Sequence, residues 1–206
     1  MSYAVSILII FIWIGILHYK KRRASLTEEQ RTKEFWNQER KANQVRKKDI
    51  STLPYIQVPL DLLPFSTSDD TKIQEFQTVI RQLSKQKILN LTGISNTELK
   101  LQYGPSNLEL LAEYDSNFTT LVCTLSNWGQ YLYELGQITE ARIVLEYGIS
   151  CKTDVKNNYI FLAKIYKDSH ELSKITDLIA TAESLNTLMK PSIISSLQDL
   201  QNSNSD

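Results

Sequence analysis

Between Tyr3 and Tyr19 the chain reads YAVSILIIFIWIGILHY, an apolar stretch without one charged side chain. Spanning the hydrocarbon of a bilayer as a helix takes about 17–25 such residues at a rise of ~1.5 Å each, so this run lies at the short limit of a transmembrane segment. Trp13 falls inside it, whereas His18 and Tyr19, each with an apolar body and a polar tip, fall at its boundary. Lys20, Lys21, Arg22 and Arg23 follow at once, while Met1-Ser2-Tyr3 carries only the terminal amine. Positive charge is retained on the cytoplasmic side, so the expected topology is a single pass in the cell membrane, N-terminus out, with everything after Lys20 cytoplasmic. A cleaved signal peptide is the competing reading, and it needs its basic residues before the apolar run and a small-residue cleavage site after it; neither is present. The four basic residues read as a topology determinant. Attraction to anionic head groups, at about 1 kcal/mol per residue, is the alternative.

The rest of the chain has the makings of one folded domain. Of 206 residues, 42% are hydrophobic and 22% charged, close to globular averages, and six glycines and five prolines are too few for a low-complexity chain. Positive and negative side chains balance at 23 each and the pI is 6.7, so no global field draws nucleic acid. The expected division is an anchor over residues 1–19, a basic cluster and juxtamembrane helix over 20–49, a proline-containing extended segment over 50–70, a helical domain over 71–202 and a disordered tail at 203–206.

Thr27 followed by Glu28, Glu29 and Gln30 has the form of a capping box, which predicts a helix from Thr27 to about Lys48 with a thin apolar stripe of Phe35, Trp36, Ala42 and Val45. Its basic end, Arg46-Lys47-Lys48, suits the negative pole of a helix. Phe35 and Trp36 are expected to pack on the segment that follows, with a partner or a second copy as the alternative. In that segment Pro54, Pro59 and Pro64 forbid a regular helix, yet Leu53, Tyr55, Ile56, Val58, Leu60, Leu62, Leu63 and Phe65 would be adhesive if left in water. It should lie along the helical domain, in or beside a groove that a partner could compete for. The spacing Ile73, Phe76, Ile80, Leu83 predicts a helix over Thr71–Leu89. Ser95 to Glu98 forms a second box, for a short helix stopped at Gly104-Pro105, and Ser106 with Glu109 opens another. Its apolar positions keep phase through Leu132, with a break expected at Asp115-Ser116-Asn117.

Residues Leu125–Gly148 (LSNWGQYLYELGQITEARIVLEYG) place Trp128, small Gly129, turn glycine Gly136, small Ala141 and large Leu145 in an order that resembles a tetratricopeptide repeat, two antiparallel helices in about 34 residues. A shift by about 34 lands on Tyr159, Leu162, Ala163, Tyr166, His170, Ile175, Ile179 and Ala182, in the same size classes apart from His170 and Ile175. Gly148 stands where alanine is usual, and the departures at His170 and Ile175 put a spread helix pair or a longer turn in prospect. The resemblance implies an all-α fold, an α-α superhelix of repeats at about 122–155 and 156–189, closed by a capping helix over 191–202 that Pro191 opens. It also implies stacking geometry rather than chemistry.

No catalytic, metal-binding or cofactor-binding residue emerges. His18 and His170 are the only histidines and cannot meet in a triad or a two-His site, no glycine-rich phosphate loop is present, and the pairs Glu28-Glu29 and Asp69-Asp70 are explained by helix capping. Cys123 and Cys151 lack ligand spacing and are expected as small core residues, with a disulfide as the alternative. Among the tyrosines, Tyr131, Tyr133 and Tyr166 are the candidate protein-contact residues on the inner surface of the repeats. The reading is therefore a membrane-anchored adaptor or scaffold that holds an unidentified cytoplasmic protein or peptide, without cofactor, nucleic acid or catalysis. Its rivals are an accessory subunit of a membrane complex assembled through the span, where Ser6 and Gly15 give no GxxxG spacing, and an enzyme whose pocket the sequence does not display.

Overall fold

The computed structural model describes residues 28–67 and 69–203, and every regular element among them is helical. The apolar run Tyr3–Tyr19, the basic cluster and Thr27 lie outside the described residues; among those described, no helix is long and apolar enough to cross a membrane. The chain divides into two compact units, one comprising residues up to Lys48 with Ser95–Leu108, the other Asp49–Ile94 with Glu109 onward.

In the first unit, helix α1 covers residues 28–42 and helix α3 covers Asn96–Tyr103, followed by a 3-10 turn at Pro105–Asn107. The box expected for α3 is present: the Ser95 hydroxyl caps Glu98 N–H and the Glu98 carboxylate accepts from Ser95 N–H at 2.7 Å. Helix α1 is shorter than its expected reach to Lys48, because the backbone beyond Ala42 is committed elsewhere. Lys48 N–H donates to the Tyr103 carbonyl (3.0 Å), and the buried Asn107 amide donates to the carbonyls of both Lys48 and Tyr103 (2.8 and 2.7 Å). Glu39 of α1 bonds both Thr97 and Lys100 of α3. A Cβ at Gly104, whose φ is +86°, would lie 2.7 Å from the Arg46 carbonyl, so this crossing needs glycine.

The second unit opens with the proline segment, which packs along the helices as expected. Leu63 is buried, Ile56, Val58 and Phe65 sit against the core, and the Phe65 ring lies 5.6 Å from that of Trp128; Leu60 and Leu62 remain exposed. Helix α2, Thr71–Leu83, is capped by Asp70, which accepts from the N–H groups of Lys72 and Ile73. It buries Ile73, Gln77, Ile80 and Leu83 and stops six residues before its expected end. Ile88 and Leu89 are buried all the same, in non-helical chain whose polar groups are satisfied from outside. The Ile88 carbonyl accepts from Ile56 N–H (2.9 Å), and Leu89 N–H donates to the Tyr114 carbonyl (3.1 Å).

The expected break at Asp115–Asn117 does not occur; helix α4 runs unbroken over Leu108–Glu134, starting after the 3-10 turn rather than at Ser106. The polar triplet has a different job. Asp115 accepts from Leu91 N–H (3.0 Å) and the Asn117 amide donates to the Lys87 carbonyl (3.0 Å), so these side chains receive the 87–91 segment instead of interrupting their own helix.

Four helices follow: α5 Ile138–Ser150, α6 Lys156–Asp168, α7 Leu172–Glu183 and α8 Lys190–Asn202, with Pro191 in the first turn of α8. The turns between them recur at a period of about 34 residues. At Gly136, φ is +76° and the N–H groups of Gly136 and Gln137 return to the carbonyls of Tyr133 and Leu132. At His170, φ is +59° and the N–H groups of His170 and Glu171 return to Lys167 and Tyr166 in the same way. The turn expected to lengthen at His170 thus keeps the geometry of its glycine counterpart. The next connections match too: Thr153 caps Val155 N–H (3.1 Å) and Thr187 caps Met189 N–H (3.2 Å).

Close approach of α4 and α5 explains Gly129, where a Cβ would lie 2.5 Å from Leu145 Cγ. At Gly148 the Asn158 carboxamide, whose amide donates to the Leu145 carbonyl at 2.9 Å, fills the space a methyl would need.

Two substitutions test this account by chemical denaturation. Gly129→Ala should cost about 1–3 kcal/mol, because Leu145 is fully buried and has little room to yield. His170→Gly should stabilise by up to about 1 kcal/mol, relieving the left-handed backbone at an exposed turn.

Candidate protein-contact face

The three singled-out tyrosines lie in the second unit and do not converge. Tyr131, on α4, turns toward the start of α2: its hydroxyl donates to the Asp70 carboxylate (2.8 Å), the Lys72 ammonium lies 4.3 Å from its ring centroid, and Phe76 lies 6.3 Å away. Two residues on, Tyr133 turns toward α6, edge-on to Phe161 at 5.5 Å, with its hydroxyl 3.4 Å from Asp168. Tyr166 is 6% exposed. Its hydroxyl donates to Glu146 (2.8 Å), while Arg142 and Lys174 flank its ring at 5.2 Å each.

That last cluster is a closed ion network. Arg142 pairs with Glu146 (2.9 Å) and through two nitrogens with Glu171 (2.6 and 3.3 Å), and Lys174 also pairs with Glu171. Burial and the hydrogen bond to Glu146 push the Tyr166 hydroxyl well above its ordinary value, and Lys174 and Arg142 hold the Glu171 carboxyl below its own. Every group has a partner within the domain, which makes the cluster a strut between α5, α6 and α7. Tyr159, pushed up to about 12 chiefly by burial, is structural as well, donating to the Thr153 carbonyl at 2.9 Å.

What lies open is a row of positions the apolar periodicity passes over. On α4, Cys123, Asn127, Gln130 and Glu134 are exposed or half-buried; on α6, so are Asn157, Phe161, Lys164 and Asp168; on α8, Pro191, Ser195, Gln198 and Asn202. Members of each set lie three or four residues apart, hence on one face of their helix, and corresponding members recur at the ~34-residue period. The three helices are neighbours, joined by the Tyr133–Phe161 contact and by hydrogen bonds from Lys156 to Ser192 and from Lys167 to Ser203. Five of these twelve side chains are carboxamides; Phe161, with the Lys164 ammonium 4.8 Å from its centroid, is the face's aromatic centre. Beside it, a cleft of about 280 Å³ between α2 and α4 is lined by Lys72, Phe76, Asn127, Gln130, Tyr131 and Glu134. Such a surface offers amide donors and acceptors to the main chain of a bound segment, and one flat ring to its side chains. Sequence reasoning looked for large residues and found tyrosines; the ~34-residue shift applied to polar positions would have found the face.

The two cysteines are free thiols. Cys151 is buried as expected, and burial pushes its thiol up, but Cys123 is exposed on the open face, which corrects its placement in the core. Among the described residues, no group of three or more His, Cys, Asp or Glu side chains is placed to hold a metal ion. No protein-family model, curated protein or solved structure matches the chain.

The Asp70 contact carries a pH signature. The Tyr131 hydroxyl and then the Ile73 N–H, with a lesser part from Lys72, hold its carboxyl below the usual range against the opposing effect of burial. A carboxyl depressed in the folded state stabilises above its unfolded value of about 3.9, and that contribution is lost as pH falls through the folded value. Asp70→Asn should therefore flatten the acid limb of the stability profile below about pH 4, measured by thermal melts across pH, and Tyr131→Phe should do so in part.

Proposed function

We propose that this chain is a membrane-anchored adaptor whose tetratricopeptide-like helical domain holds a cytoplasmic protein segment on the α4/α6/α8 face. One observation carries the reading: exposed or half-buried, mostly polar positions recur on three neighbouring helices at the ~34-residue period of the buried ones, so the stacking that builds the core also builds a continuous outward surface. The matching left-handed turns at Gly136 and His170 support the repeat assignment, and α8 serves as the cap. The apolar run Tyr3–Tyr19 with its basic flank supports the anchor, N-terminus out and the domain in the cytoplasm. The bound segment is extended, engaged by the carboxamides of Asn127, Gln130 and Gln198 and stacked on Phe161.

Crosslinking capture of the tagged full-length protein in its native membrane tests this, beside a Gln130→Arg/Phe161→Ala/Gln198→Arg variant whose melting temperature is checked first. Loss of a cytoplasmic partner from the folded variant is the expected result. Capture of integral membrane proteins alone, unchanged by the variant and abolished when Tyr3–Tyr19 is replaced by another span, would instead make the chain a subunit assembled through its anchor.

A further inference from the structure

The second unit carries two acceptor tripeptides for N-linked oligosaccharide, Asn90-Leu91-Thr92 and Asn117-Phe118-Thr119. Where such tripeptides bear sugar they belong on open surface loops. Neither does here. Leu91 and Phe118, their middle residues, are 8% and 2% exposed, so each tripeptide is pinned through its centre to the interior. Asn117 also lies within α4, in regular helix. Both carboxamides, moreover, are engaged in holding non-helical chain that the unit buries. The Asn90 nitrogen donates to the carbonyls of Cys151 and Lys152, at 3.3 Å each, while its oxygen accepts from Thr92 N–H (3.0 Å). The Asn117 nitrogen donates to the Lys87 carbonyl (3.0 Å). Among the described residues, the hydroxyls of Thr92 and Thr119 hold nothing in place.

We infer that oligosaccharide on Asn90 or Asn117 is incompatible with the fold of the second unit, so that this unit folds only where N-glycosylation does not take place. Transfer joins the carboxamide nitrogen to the anomeric carbon of the sugar, releases the lipid diphosphate that carried it and removes one of the two amide protons. Asn90 uses that nitrogen on two carbonyls, and a nitrogen with one proton left cannot serve both as before. At Asn117 the sugar would grow from a nitrogen that lies between α4 and the chain it receives at Lys87. Asn90 is therefore the more sensitive of the two. Because transfer acts on chain that has not yet folded, the burial of Leu91 and Phe118 gives no protection. The inference stands apart from the anchor and gives the orientation proposed above a second basis: a chain inserted the wrong way round would be glycosylated and fail to fold.

The test is a matched pair of chains in a glycosylating cell, each complete except that Met1–Arg23 is exchanged for a strong span. In one the basic flank follows the span and keeps the domain in the cytoplasm; in the other it precedes the span and sends the domain to the lumen. Limited proteolysis after solubilisation reads the fold, and the mass lost to endoglycosidase reads the sugar. The cytoplasmic chain should be sugar-free and resistant, whereas the lumenal chain should carry sugar and be cut about tenfold faster or more. Thr92→Ala/Thr119→Ala abolishes both acceptors without touching either amide, and it should return resistance to the lumenal chain; of the single changes, Thr92→Ala should return more. A glycosylated lumenal chain as resistant as the cytoplasmic one overturns the inference and leaves the proposed orientation standing. So does a lumenal chain that resists without receiving sugar, since its acceptors are then sealed before transfer. Lumenal chain that is cut as fast without sugar as with it also overturns the inference, because the compartment rather than the modification is then to blame. Sugar on Asn90 or Asn117 of the folded native protein would remove this inference and the cytoplasmic placement together.

Discussion

Burying chain that is not helical demands a partner for every peptide group, and in the second unit that demand organises everything around α4. The segments 49–67 and 84–94 bring Leu63, Ile88, Leu89 and Leu91 into the interior without the internal hydrogen bonds of a helix. Their polar groups are met by each other at Ile56–Ile88 and by α4 through the Tyr114 carbonyl, Asp115 and Asn117. Tyr147 of α5 donates to the Gln57 carbonyl, and in its satisfied amide orientation Gln77 of α2 pairs with both backbone groups of Ser66. An unmet buried donor or acceptor costs about 1–3 kcal/mol, so these few side chains decide whether the apolar segments are an asset or a hazard. The second half of α4 buries Leu125, Trp128 and Leu132 in the core it shares with the helices that follow.

That division of labour explains which elements were legible. Ile73, Ile80 and Leu83 announced the buried face of α2, the Ser95–Glu98 box announced α3, the spacing from Gly129 to Ala182 announced α5, α6 and α7, and Pro191 announced α8. These signals are local, carried by residues within a turn or a period of one another. The end of α2 was illegible because it is set by Tyr114 and Ile56, each more than twenty residues from the chain it holds. For the same reason Asp115 and Asn117 looked like helix breakers: in isolation such side chains compete for their own backbone, and nothing local shows that another segment takes them.

The candidate contact face was legible only in part. A tyrosine advertises itself by size, yet Tyr131 and Tyr166 spend their hydroxyls on Asp70 and Glu146, and the exposed face belongs to smaller amides that carry no such signal alone. The end of α1 at Ala42 was likewise set from a distance, by the hydrogen bonds among Lys48, Tyr103 and Asn107. In each case composition pointed to the right neighbourhood and distant hydrogen bonds chose the residue.

Helix α8 occupies the place where another pair would begin. Its fully buried Ile193 stands one period beyond Tyr159 and two beyond Leu125, both also fully buried. Because each layer contacts chiefly the next, such an arrangement is extensible: a duplicated length of about 34 residues inserted ahead of α8 would meet on either side the same kind of surface that is already there. The open row would lengthen by one rung with it. A family of such proteins could thus acquire longer or shorter reach by gain or loss of whole units, without redesigning either end.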